Sequence, residues 1–155
     1  MSTNTTPAST TSGSRTVRIL AILLMVFGAV MAVAGVATWI VVQNQLADEN
    51  ITVAEDAERF AGEPVDGPLT AYAQAQVIEK HALEASGGQT YAQLDREDER
   101  RPTVMNASFL RASLFTSVVA FGVAAMAFGL GIAVILIGYA LSTVSRQLAG
   151  QTATT

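Results

Sequence analysis

The sequence contains no cysteine and a single histidine, His81, among its 155 residues. The first absence removes disulfide frameworks, thiol nucleophiles and cysteine-based metal sites. The second leaves no order of Ser, His and Asp that reads as a catalytic triad. Charge is scarce as well, at 14% of residues against ~25% in ordinary soluble proteins, and it is missing altogether from Ile19 to Ala47 and from Ala112 to Ser145. There is no Gly-rich phosphate loop. The pairs Gly28 and Gly35, or Gly129 and Gly131, lie inside apolar runs where no cofactor fingerprint would sit. No stretch interleaves basic and aromatic residues, so nucleic acid is not an expected partner, and no small-molecule substrate is inferred.

What is present is apolar: half of the residues, concentrated in those two uncharged runs. A helix needs about 20 apolar residues to cross the hydrocarbon core of a bilayer, and both runs exceed that length. Backbone groups in hydrocarbon must bond within their own segment, and the alternating polarity of barrel strands is missing. The expected fold is therefore an all-α membrane protein. It has transmembrane helices at residues 17–42 and 113–142, joined by a partly helical extracytoplasmic segment at residues 43–112. Nothing after Pro102 breaks the second helix, which is expected to run from about 104 to 146. The Ser- and Thr-rich start, residues 1–16, and the end, residues 147–155, bury too little apolar surface to offset the entropy of ordering and are expected to be disordered. Arg15 and Arg18 followed by an apolar stretch with small residues at Ala32-Val33-Ala34 also resemble a signal peptide. The stretch from Ile19 to Val42 is, however, far longer than the ~7–15 residues of a signal h-region, so an uncleaved anchor is expected.

Arg15 and Arg18 flank the first helix on one side, while Asp48 and Glu49 meet it on the other, which favours a cytoplasmic N-terminus. The connecting segment carries six basic residues but all thirteen acidic ones. It is also longer than the ~60 residues over which basic loops set orientation. Both ends are therefore expected in the cytoplasm, the acidic segment outside, and the protein in the plasma membrane. A cysteine introduced at Ser86 would report that side. Trp39 is placed as an anchor at the outer interface and Tyr139 at the inner one. Arg111 stands a turn or two beyond the hydrocarbon, where it can reach headgroups.

Within the connecting segment, Gly62-Glu63-Pro64 and Asp66-Gly67-Pro68 are turn and helix-start signals. Residues 69–86 place Ala71, Ala75, Ile78, Ala82 and Ala85 on one stripe, and Gly87-Gly88 follows, which predicts an amphipathic helix with a glycine stop. Thr90-Tyr91-Ala92-Gln93 has the form of a capping box and predicts a second short helix over 91–99. His81 and Glu84 could offer two metal ligands on one face, but no further ligand set accompanies them, so no metal and no cofactor is expected. The acidic run Asp95, Glu97, Asp98 and Glu99 lacks the ligand spacing and glycine of a calcium loop. Asn50-Ile51-Thr52 and Asn106-Ala107-Ser108 match the glycosylation acceptor pattern, a triplet that chance often supplies.

The small residues are the most informative. Ala21, Gly28, Ala32 and Gly35 share one face of the first helix at the spacing of left-handed packing. In the second helix Gly122, Ala125 and Gly129 form one groove, while Ala124, Ala127, Gly131 and Gly138 form another, facing the opposite way. One groove can receive the first helix, which leaves the other for a second copy or another membrane protein.

Three stretches, Gln45 to Asp56, Tyr91 to Asp98 and Asn106 to Ser117, resemble a group of actinobacterial two-span membrane proteins of unknown function. The likeness covers nearly everything except the tails. Such proteins have sometimes been labelled aromatic ring-opening dioxygenases. That chemistry uses non-haem iron held by two histidines and a carboxylate, a set this chain cannot supply. The resemblance implies a bacterial membrane protein and carries no functional residues. The expected function is that of an accessory or scaffold subunit, not an enzyme, acting through helix packing and its acidic segment, with membrane lipid and itself or another membrane protein as partners. A membrane-anchored sensor or ligand-binding protein, or an oligomeric pore, is the alternative.

Overall fold

A computed structural model describes residues 11–151, with side chains from 15 to 147. Its elements are three helices: α1 (Thr11–Asp48), α2 (Pro68–Ser86) and α3 (Arg101–Gln151). Two of them, over Arg15–Asp48 and Arg101–Gln147, are long and apolar enough to cross a membrane. The contacts divide into two units, residues 11–35 with 126–151 and residues 36–125.

Both long helices overrun the sequence expectation. α1 starts at Thr11 and α3 continues to Gln151, so residues 11–16 and 147–151, expected to be disordered, are helical. Once a helix is nucleated, each further residue adds one hydrogen bond at little cost, and Thr11-Ser12-Gly13-Ser14 contains no proline to stop it. The expected disorder of residues 1–10 and 152–155 lies outside the described residues. α3 begins at Arg101 rather than near 104, with Pro102 in its first turn, where a missing N–H costs nothing. Its 51 residues amount to roughly 76 Å of helix at 1.5 Å per residue.

In the first unit the buried positions of α1 are Ala21, Gly28, Ala32 and Gly35, and those of α3 are Gly131, Gly138 and Ser145. Each set is built on a seven-residue step, the period that keeps one seam between two helices and imposes a left-handed crossing.

In the second unit the chain leaves α1 through Asn50, whose positive φ of 51° is a conformation asparagine tolerates. It then folds back on itself. The Val53 N–H donates to Glu63 O at 2.9 Å, Gly62 N–H to Val53 O at 2.9 Å, and Val65 N–H to Ile51 O at 2.8 Å. This double strand is too short to form a sheet and amounts to one antiparallel bridge, Thr52 with Pro64. It nevertheless buries Val53 and Val65 almost completely. Alternate residues of an extended segment point the same way, so both valines enter a core made with Leu46, Ala71, Ala75, Leu114 and Phe121. Burying each is worth about 1.5–3 kcal/mol.

α2 starts at Pro68, with the Gly67 N–H reaching the Thr70 hydroxyl at 3.2 Å. It ends as the glycines predict. Gly87 takes φ 70°, its N–H bonds Glu84 O, and the Gly88 N–H bonds Leu83 O at 2.7 Å, the two bonds of a Schellman stop. The buried face differs from the predicted stripe: Ala71 and Ala75 are buried, but so are Thr70, Ala73 and Val77, while Ala85 is exposed. The first half of α2 is covered on two sides, by the folded-back loop and by the long helices, and small alanines permit both contacts.

The short helix expected over 91–99 does not form; the segment is a string of turns. Half of the predicted cap is present, since the Gln93 side chain accepts from the Thr90 N–H at 2.8 Å. The turn stops because Leu94 is buried and the Arg101 guanidinium takes the Leu94 carbonyl at 2.6 Å, occupying an acceptor that a continuing helix would need.

Candidate functional site

At the glycine seam of the first unit the two helix backbones approach closely. A Cβ on Gly28 would stand 2.6 Å from Gly131 O, and one on Gly131 would stand 2.6 Å from both Gly28 O and Ala32 N. At Gly138 it would meet Ala21 O at 2.8 Å and Met25 Cγ at 2.7 Å. These neighbours are mostly backbone and cannot rotate away, so only glycine fits. At each of the three glycines the place a Cβ would take lies against a carbonyl oxygen of the other helix, a close approach that small residues permit.

Of the two grooves read on α3, Ala124, Gly131 and Gly138 are buried and Ala127 is half-buried, which makes this the internal one. The other is open: Gly122, Ala125 and Gly129 are exposed, and a Cβ on Gly122 or Gly129 would touch nothing within 4 Å. Around the seam the large apolar side chains point outward. Val33 is 68% exposed and Leu136 61%, and Val26, Phe27, Val30 and Leu130 join them.

The second unit adds polar ties. The Asp56 carboxylate receives Lys80 Nζ at 2.9 Å and lies 2.9 Å from His81 Nε2, which fastens the folded-back loop to α2. The Lys80 hydrogen bond, then that of His81, hold its carboxyl down from the ordinary 3.8 to about 2, and Lys80 is raised in return, chiefly by its hydrogen bond to Asp56. His81 therefore faces Asp56, not the Glu84 of the sequence pairing. Arg100 grips Asp98 with its side chain at 2.7 Å and 3.0 Å and donates to Ser86 O at 2.8 Å, closing the exit of α2 onto the start of α3. The Arg100 hydrogen bonds lower the Asp98 carboxyl to about 2.

Arg111, expected by sequence at the interface, has an acidic partner on α2. It pairs with Glu79 at 2.6 Å and lies 5.3 Å from the centre of the Phe115 ring. The pair borders a cavity of about 60 Å³ with Thr90, Tyr91, Val104 and Ser108 on its walls, well below the ~300–1,000 Å³ of ordinary ligand pockets. Trp39 packs edge-on against Phe121, ring centres 4.7 Å apart, while Tyr139 is exposed. The Thr116 and Ser117 hydroxyls bond back to the carbonyls of Ala112 and Ser113. Asn50 sits in an exposed turn with its amide on Asp48 O, and Asn106 is exposed on α3. Among the described residues no three of His, Cys, Asp and Glu come together as a metal site.

No protein-family model, no curated protein and no solved structure matches this chain.

Proposed function

We propose that this is a two-span membrane protein that acts as an accessory or scaffold subunit, with the segment between α1 and α3 outside and both ends in the cytoplasm. One observation carries the reading: the two long helices meet through glycine and alanine while their valines, leucines and phenylalanines face outward. In water this arrangement exposes the groups that drive folding. In lipid it is the economical one, because tails solvate large apolar side chains and helix association rests on close backbone packing. The groove at Gly122, Ala125 and Gly129 is then a face for a second copy or a partner helix. Phe109 and Leu110, both exposed and just before Arg111, add an apolar patch beyond the uncharged run.

The test is to tag the C-terminus, extract in mild detergent, and determine native mass and co-purifying proteins together. A stoichiometric larger complex, or a defined homo-oligomer that Gly129→Leu dissociates, supports the subunit reading. A monomer with no partner in several mild detergents removes it.

A further inference from the structure

α2 runs antiparallel to the first part of α3. The Tyr72 ring meets Phe115 edge-on at 5.8 Å, Glu79 meets Arg111, and Ser86 meets Arg100. The start of α2 is therefore its end nearest the uncharged run of α3, which begins at Ala112 and includes Phe115. Along the outward stripe of α2, at steps of three or four residues, stand Leu69, Tyr72, Gln76, Lys80 and Glu84, all exposed. Exposure is shared along the stripe, yet polarity changes from apolar at Leu69, 65% exposed, through an amide to full charge. The Tyr72 hydroxyl is turned toward the polar end, accepting from Gln76 Nε2 at 3.3 Å, so its ring body faces the apolar end. An aromatic with an apolar body and a wet tip is the side chain that settles at a membrane–water interface.

We propose that the first turn of α2 is seated in the outer lipid interface through Leu69 and Tyr72, so that the connecting segment lies on the bilayer and is held there by a third contact besides the two long helices. The inference rests on the reading that α1 and α3 cross a bilayer. The folded-back loop then stands over the headgroups and the charged end of α2 faces water.

The absence of cysteine makes the test direct. Single cysteines at Leu69, Glu84 and Phe128, each exposed on the protein surface, are labelled with a polarity-sensitive fluorophore in full-length protein reconstituted into phosphatidylcholine vesicles. Quenching is read with aqueous iodide and with lipids carrying shallow or deep nitroxides. The expected result is a blue-shifted label at 69 with several-fold weaker iodide quenching than at 84 and strongest quenching by the shallow nitroxide, while 128 responds to the deep one. A label at 69 as open to iodide as that at 84, with 128 still shielded, overturns the seating of α2 and leaves the spans standing. Iodide access at 128 equal to that at 84 overturns the spans as well.

Discussion

The two units hold their helices together by opposite means. Residues 11–35 and 126–151 bring backbones into contact by having almost no side chain at the seam, with Gly28, Gly131 and Gly138 as the points of approach. Residues 36–125 fill their interior with side chains, among them Val53, Val65, Phe121 and Trp39, and fasten the rim with Asp56–Lys80, Asp98–Arg100 and Glu79–Arg111. The first leaves the large apolar side chains exposed around the seam, whereas the second packs side chains against one another in a core. One continuous helix, α3, contributes to both, with Gly131 and Gly138 at the seam and Leu114 and Phe121 in the core.

Substitutions that respect one solution and violate the other sharpen this contrast. The largest effect is expected from Phe121→Ala, which empties a nearly fully buried site and removes the ring facing Trp39. About 3–5 kcal/mol of stability should be lost, measured by thermal or denaturant unfolding in detergent. Gly131→Ala should follow. A single methyl group must enter a space bounded at 2.6 Å by two backbone atoms, at a cost of about 1–3 kcal/mol, whereas Gly129→Ala, with nothing within 4 Å, should leave stability unchanged. Equal losses at 129 and 131 would break the assignment of the two grooves. Glu79→Gln should cost only about 0–1 kcal/mol, because the pair with Arg111 is well exposed and screened.

The smallest effect concerns pH. Asp56 is lowered to about 2, so its contribution to holding the loop is complete above the ordinary 3.8 and is lost as pH falls through about 2. Lys80 is raised, so its contribution is complete below its ordinary 10.5 and is lost as pH rises through the higher folded value. Carbon-13 titration of the Asp56 carboxyl should show the low midpoint, and Lys80→Ala should move it up toward 3.8.

How legible these features are in the sequence depends on their range. The long helices are written in uninterrupted apolar runs, and the exit of α2 in Gly87-Gly88, because those signals are local. The seam residues Ala21, Gly28, Ala32 and Gly35 are equally visible, since a seven-residue step reports a helix face directly. Which groove of α3 receives them is not, because opposite faces of one helix carry equivalent small residues and only the partner chooses. The Asp56 tie and the Glu79–Arg111 pair join residues 24 and 32 positions apart in sequence, and no spacing rule reaches that far. The expected helix over 91–99 failed for a related reason: its capping signal is real, but Arg101 takes the Leu94 carbonyl from outside the window. Ser86, a natural place for a reporter cysteine by sequence, is fully buried with its hydroxyl bonded to Leu83 O, whereas Ala85 beside it is exposed.

That neighbour supplies the most direct test of the two-span reading. Single cysteines at Ala85 and at Ser14 are treated with a membrane-impermeant maleimide on intact cells and again after lysis. The account predicts labelling of Ala85→Cys in intact cells and of Ser14→Cys only after lysis, with both proteins staying in the membrane fraction after alkaline carbonate. Labelling of Ser14→Cys but not Ala85→Cys in intact cells would invert the topology, and release of the protein by carbonate would contradict the membrane reading itself.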